Sequence, residues 1–202
     1  MLAPGQAATA AMRHPHPKSG PGSLRIVAGN LRGSKLAVPD VEGLRPTPDR
    51  VRETLFNWLA PVIAGARCLD LFAGSGALGI EALSRGAGGC VFVERDRALC
   101  RLLRDNLARL RVTGARVVDD TAADFLRTPA QAFDLVFLDP PFATDLWSAS
   151  AQQLEQGGWL AAGAHVHIES PREARFELPP GWALHREGHA GAVRHALYRR
   201  LA

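Results

Sequence analysis

The sequence predicts an α/β protein built on a Rossmann-like, mostly parallel sheet with helices covering both faces. Three observations carry that expectation. From residue 66 onward, short apolar runs alternate with segments of helical period, the pattern of βαβ units. The first run feeds a glycine-rich turn, Asp70-Leu-Phe-Ala-Gly74-Ser-Gly76-Ala-Leu-Gly79. The final forty residues break the alternation with two strand-like stretches around a glycine-bearing turn, which reads as a β-hairpin closing the sheet.

Taken in order, residues 1–23 are rich in Ala, Pro, Gly and His without apolar period, and read as a disordered tail. They lack the apolar core of a secretory leader. Residues 24–27 and 35–38 are strand-like runs separated by glycine-bearing turns, a second hairpin. A helix follows, with Thr47 as the expected N-cap, Pro48 at its first position, and Val51, Leu55 and Leu59 facing inward. Strands are then expected at 67–72, 89–94, 116–118, 133–138 and 165–168, with helices from the glycine turn to about 84, at 96–111 and near 146–154. The division expected is a tail (1–23), an N-terminal hairpin and helix (24–60) and an α/β domain (61–202).

Composition narrows the function classes. Of 202 residues 47% are hydrophobic and 22% charged, as in ordinary globular chains, and a single large core is within reach. No apolar run approaches the roughly 18 residues a spanning helix needs, so no membrane association is expected. Cys68, Cys90 and Cys100 show no C-x-x-C spacing and read as buried small apolar residues in a reducing, cytoplasmic setting. His165 and His167 alternate on one strand, but no third ligand stands at a recognisable spacing, so no metal is expected. Trp58, Trp147, Trp159 and Trp182 read as packing residues. Residues 1–60 carry eight Lys/Arg against four Asp/Glu, while the remainder carries sixteen of each, so the whole net charge of +4 lies in the first third. Arg25, Arg32, Lys35, Arg45, Arg50 and Arg52 form the candidate patch for an anionic, phosphate-bearing partner.

Two constellations carry chemistry. In the first, Gly74, Gly76 and Gly79 fit G-x-G-x-x-G, and Glu94 closes the next strand, where an acid can bond ribose hydroxyls. Asp70 discriminates between ligands. A carboxylate beside a pyrophosphate is repulsive, but it suits a nucleoside whose far end carries an ammonium and a sulfonium. That description fits S-adenosylmethionine better than NAD. The second constellation is Asp139-Pro140-Pro141-Phe142, at the carboxyl end of a central strand. An exocyclic base amine is a poor nucleophile because its lone pair is delocalised. The Asp139 carboxylate and the Pro140 carbonyl, accepting its N–H bonds, would stabilise the positive charge that grows on nitrogen. Phe142 would stack on the base.

DLFAGSGALGIEALSRGA, Glu94 and FDLVFLDPPF together resemble a class I S-adenosylmethionine-dependent methyltransferase acting on an amino group. RIVAGNLRGSKL, RPTPDRVRETLFNWL and the terminal GAVRHALYRR resemble the bacterial 16S ribosomal RNA (guanine-N2)-methyltransferase family, so that the likeness runs from about residue 24 to 201. It implies a seven-stranded sheet with an antiparallel last strand. It implies Thr47, Asp70, Phe72, Gly74, Gly76 and Glu94 around the donor, the segment of Arg45, Pro46 and Thr47 closing over it, and Asp139, Pro140 and Phe142 around the guanine. It further implies 16S rRNA or the assembling small subunit as partner, and a monomer. One departure stands out: where such enzymes often carry Asp-Ala or Asn-Ala near the adenine, Thr121-Ala122 follows Asp119-Asp120. Asp120, Thr121 and Ala122 are therefore all candidates there. The rival readings are an N6-adenine DNA methyltransferase, which shares D-P-P-F, an NAD-dependent oxidoreductase, and a non-catalytic RNA-binding module.

Overall fold

The computed structural model describes residues 22–38 and 47–201. Arg45, Pro46 and nearly all of the predicted tail lie outside them. Gly22 and Ser23, assigned to the tail from sequence, instead begin strand β1 (Gly22–Arg25), which pairs antiparallel with β2 (Lys35–Val38). Helix α1 (Asp49–Leu59) follows, then β3 (Arg67–Asp70), α2 (Ala77–Ser84), β4 (Gly89–Glu94), α3 (Arg97–Arg109), β5 (Ala115–Asp119), α4 (Ala122–Phe125), β6 (Phe133–Leu138), α5 (Trp147–Gln156), β7 (Leu160–Pro171), β8 (Trp182–Ala190) and β9 (Val193–Arg200).

The sheet order is β5-β4-β3-β6-β7-β9-β8. Strands β3 to β7 are parallel, whereas β9 runs antiparallel to both of its neighbours. The expected seven strands with a reversed last strand are therefore present. Chain order reverses at β3, which has β4 on one side and β6 on the other. At such a switch point two loops diverge from neighbouring carboxyl ends and leave a crevice.

Alternation along the strands divides the core in two. One face carries Cys68, Cys90, Phe92, Leu135, Phe137 and Leu197, packed against Leu55, Phe56 and Leu59 of α1, Ile80 of α2 and Leu103 and Leu107 of α3. The other carries Leu69, Val91, Val136, Val166 and Ala196 beneath Phe125 of α4 and Trp147, Ala151 and Leu154 of α5. Burial pushes the Cys68 thiol to about 12, so it behaves as a small apolar group. No helix of the described residues is long and apolar enough to cross a membrane.

The N-terminal hairpin joins the first core through Leu24, Ile26, Leu36 and Val38, so packing runs without a break across residue 60. Polar contacts fix it further. Glu81 of α2, fully buried, accepts the amides of Val27 (2.8 Å) and Ala28 (3.0 Å). Asn106 of α3 exchanges two hydrogen bonds with the backbone of Ala37. Gly29 (φ 82°) lies so close to α2 that a Cβ there would stand 1.9 Å from the Ser84 carbonyl oxygen. Two sequence expectations are corrected here. Thr47 does not cap α1, since Pro48 holds the cap position and the first turn is closed by the Val51 and Arg52 amides on the Pro48 carbonyl. Arg52 does not belong to the surface patch. It is completely buried, donating to the Arg25 carbonyl and to Asp49 (both 2.6 Å), with Glu81 3.8 Å away.

Candidate active site

The glycine turn joins β3 to α2. Gly74 (φ 52°) and Gly76 (φ 75°) both adopt left-handed backbone, which L side chains resist, and Gly76 occupies the N-cap of α2. The third glycine serves packing: a Cβ on Gly79 would meet the Phe92 ring at 2.2 Å. Glu94, at the end of β4, accepts the Gly74 amide (2.8 Å) on one oxygen and the Asp96 amide (2.8 Å) on the other. Each oxygen keeps a lone pair, so the carboxylate can still accept a pair of ribose hydroxyls. Asp70 is buried beneath the turn and accepts the Gly79 amide at 3.0 Å. Burial pushes its carboxyl up to about 7, the Gly79 amide working against that shift and the charge of Glu94 adding to it. A nucleoside with free hydroxyls and a positive group fits this cradle, and a pyrophosphate does not.

At the end of β5, Asp120 places its amide on the Glu94 carbonyl (3.1 Å) and accepts the Thr121 amide on its side chain (2.8 Å). The Thr121 hydroxyl is occupied by capping α4 through Asp124. Ala122 is buried against the second core. Phe72, half-buried beyond β3, packs on the same cluster.

The D-P-P-F segment leaves β6 directly. Leu138 is paired with Ile168, so Asp139 and Glu169 are the next residues of two neighbouring strands. Asp70 is paired with Phe137, two residues before Asp139. Alternation turns all three acids toward the face that α1 covers. Asp139 is half-buried, and its carboxyl is held well above the usual aspartate range by burial, then by Glu169 and by Asp70. Glu169 is buried, accepts the Thr47 hydroxyl at 3.2 Å, and is itself raised by burial against the pull of that bond. Pro140 is buried, while Phe142 projects with 41% of its surface exposed, its ring 6.1 Å from that of Trp147. The Phe142 ring is therefore open to solvent on one side. No group of three or more metal-ligating side chains occurs among the described residues.

The structure thus assembles the two constellations at one edge of the sheet. A family model described as "Conserved hypothetical protein 95" matches residues 24–199. The ribosomal RNA small subunit methyltransferase D of Escherichia coli strain K12 is 53% identical over 91% of this chain and 93% of its own length. The chain belongs to this methyltransferase family. The same-named protein of Haemophilus influenzae is 44% identical over 88% of this chain and 94% of its own. A solved methyltransferase structure from Escherichia coli superposes with a TM-score of 0.84 at 53% identity, covering 90% of this chain and 99% of that one.

Within the family's fold the RNA candidates divide. Arg25, Arg32, Lys35 and Arg50 are exposed on the hairpin and at the start of α1, Arg25 with 66% of its side chain accessible. Arg52 is internal, and Arg45 lies outside the described residues. Glu169 was not singled out from sequence. The available signal was its position, an acid directly after the apolar run that pairs with the D-P-P-F strand.

Proposed function

We propose that the protein transfers a methyl group from S-adenosylmethionine to the exocyclic N2 amine of a guanine in 16S rRNA, acting as a single chain in the cytoplasm. The observation that carries the reading is the placement of Asp139 and the exposed Phe142 beside the glycine turn with its two acids, Asp70 and Glu94. When bound, the donor supplies an electrophilic methyl carbon on a sulfonium. Glu94 would hold its ribose hydroxyls, Gly74 and Gly76 would let it approach the backbone, Asp70 would face its positive end, and Asp120, Thr121 or Ala122 would border its adenine. Thr47 would border it as well.

The chain's own groups do the rest. Phe142 stacks on the base and keeps water from that side. The Asp139 carboxylate and the Pro140 carbonyl accept the amine's N–H bonds, aim its lone pair into the crevice, and stabilise the charge that develops on nitrogen. As the methyl carbon leaves sulfur and bonds to nitrogen, the nitrogen becomes a positively charged secondary ammonium with two hydrogens. It then loses one proton, and Asp139, whose carboxyl lies above the usual range, is placed to receive it. Arg25, Arg32, Lys35 and Arg50 on the hairpin side, with Arg45, would hold the RNA backbone.

The test is nucleoside mapping by mass spectrometry after incubating the protein and donor with undermethylated small subunits and, separately, with their naked RNA. The expected product is N2-methylguanosine at a single position. Methyl groups on adenine, or in duplex DNA alone, would overturn the assignment.

A further inference from the structure

Two neighbouring acids stand where the target base would lie, and the mechanism above uses only one. Asp139 and Glu169 follow the paired residues Leu138 and Ile168, on strands that run about 4.8 Å apart. Among the described residues the only side-chain or backbone donor reaching either carboxylate is the Thr47 hydroxyl, on one oxygen of Glu169. Two largely unpartnered carboxylates side by side call for two adjacent N–H donors. The Watson–Crick edge of guanine offers that pair, N1–H and N2–H. Adenine offers one donor, at N6, next to an acceptor at N1, which an ionised carboxylate repels.

We infer that Glu169 is a specificity-determining residue that accepts the guanine N1–H while Asp139 accepts the N2 amine. The inference rests on the guanine-N2 reading and adds what D-P-P-F lacks, because that motif alone serves adenine equally well. The Thr47 hydroxyl occupies Glu169 from the side of α1, which leaves its second oxygen to the base. The same contact connects the residue selecting the base to the segment adjoining the donor.

The experiment compares single-turnover methylation of small subunits reconstituted with RNA carrying guanine or 2,6-diaminopurine at the target position. Diaminopurine keeps the N2 amine and turns N1 into an acceptor. Wild-type protein should prefer guanine by about tenfold or more, the cost of leaving one buried polar pair unmade. Glu169→Gln presents an amide N–H to N1, and should reduce that preference at least severalfold while binding S-adenosylhomocysteine as wild type does. Indifference of the wild-type protein to the two bases would overturn the role of Glu169, and needs no variant to fold. So would a Glu169→Gln protein that retains the wild-type preference. Absence of N2-methylguanosine from the guanine substrate would instead overturn the underlying reading, an outcome distinct from both.

Discussion

Two clusters of charge lie on the same face of the sheet, and their carboxylates differ in how many donors they receive. Arg52 Nε and Nη1 and Arg85 Nη2 of the first cluster are themselves buried without a hydrogen-bond partner among the described residues. Under the hairpin, Glu81 accepts the Val27 and Ala28 amides and Arg85 Nε (2.9 Å), with Arg52 Nη1 3.8 Å away. At the crevice, Asp70 has one donor, the Gly79 amide, Glu169 has one, the Thr47 hydroxyl, and Asp139 has none among the described residues. A buried charge surrounded by donors holds structure together, while one left short of them is held for a ligand. Burial, with so few donors to offset it, pushes the three crevice acids toward their neutral forms in the ligand-free protein, and the N–H donors of a bound base would draw Asp139 and Glu169 back to the ionised form.

The sharpest way to break the comparison is to empty one position in each cluster. Asp139→Ala should slow single-turnover methyl transfer by about a hundredfold or more, the usual scale for removing an electrostatic stabiliser. Its thermal midpoint and its affinity for S-adenosylhomocysteine should stay near wild type. Near-normal transfer would mean that the crevice acid is dispensable. Glu81→Ala should do the reverse, lowering stability by about 3–5 kcal/mol in denaturant titrations because Arg52 and Arg85 lose their buried counter-ion. A loss under 1 kcal/mol would show that the hairpin cluster is no better satisfied than the crevice.

A subtler contrast uses pH. The folded Asp70 carboxyl, at about 7, lies above its unfolded value of roughly 3.9, so the folded state binds the extra proton. Stability from this group is complete below the unfolded value and is lost as pH rises through the interval up to about 7. Asp70→Asn should therefore stabilise the ligand-free protein at pH 8 by on the order of 1 kcal/mol, lose that advantage at pH 4, and bind S-adenosylhomocysteine more weakly. Equal effects at both pH values would count against a strained acid. The smallest effect belongs to the exposed patch. Arg25→Ala should weaken RNA binding without changing donor affinity, and flatten the salt dependence by about 0.7–0.9 in log–log slope. Arg52→Ala should act on stability instead, since its guanidinium is internal.

Much of this was legible in the sequence, and the exceptions share a physical reason. Apolar runs placed the parallel strands because a strand covered on both faces must be apolar throughout; β6, at Phe133–Leu138, has the expected bounds. The glycine turn and D-P-P-F were visible because their residues are set by backbone conformation. Buried polar groups were not. Arg52 sits at the spacing of Leu55, Phe56 and Leu59, on the inward stripe of α1, and only its charge argued for the surface. Thr47 has the chemistry of an N-cap, yet a tertiary partner, Glu169, claims its hydroxyl. Helix α4 was missed because four residues are too few to show a period.

The close approach of Gly29 to Ser84 has a consequence for how a long polymer is measured. A loop seated against a helix with no room for even one methyl group, and tied to that helix by the Val27, Ala28, Asn30 and Leu31 amides, is anchored there. If the hairpin holds the RNA and Phe142 receives the base as proposed, the strand must bridge a span set by the protein, as an object is held between the jaws of a locked caliper. Guanines a few nucleotides nearer or farther along the strand would fall outside that gauge.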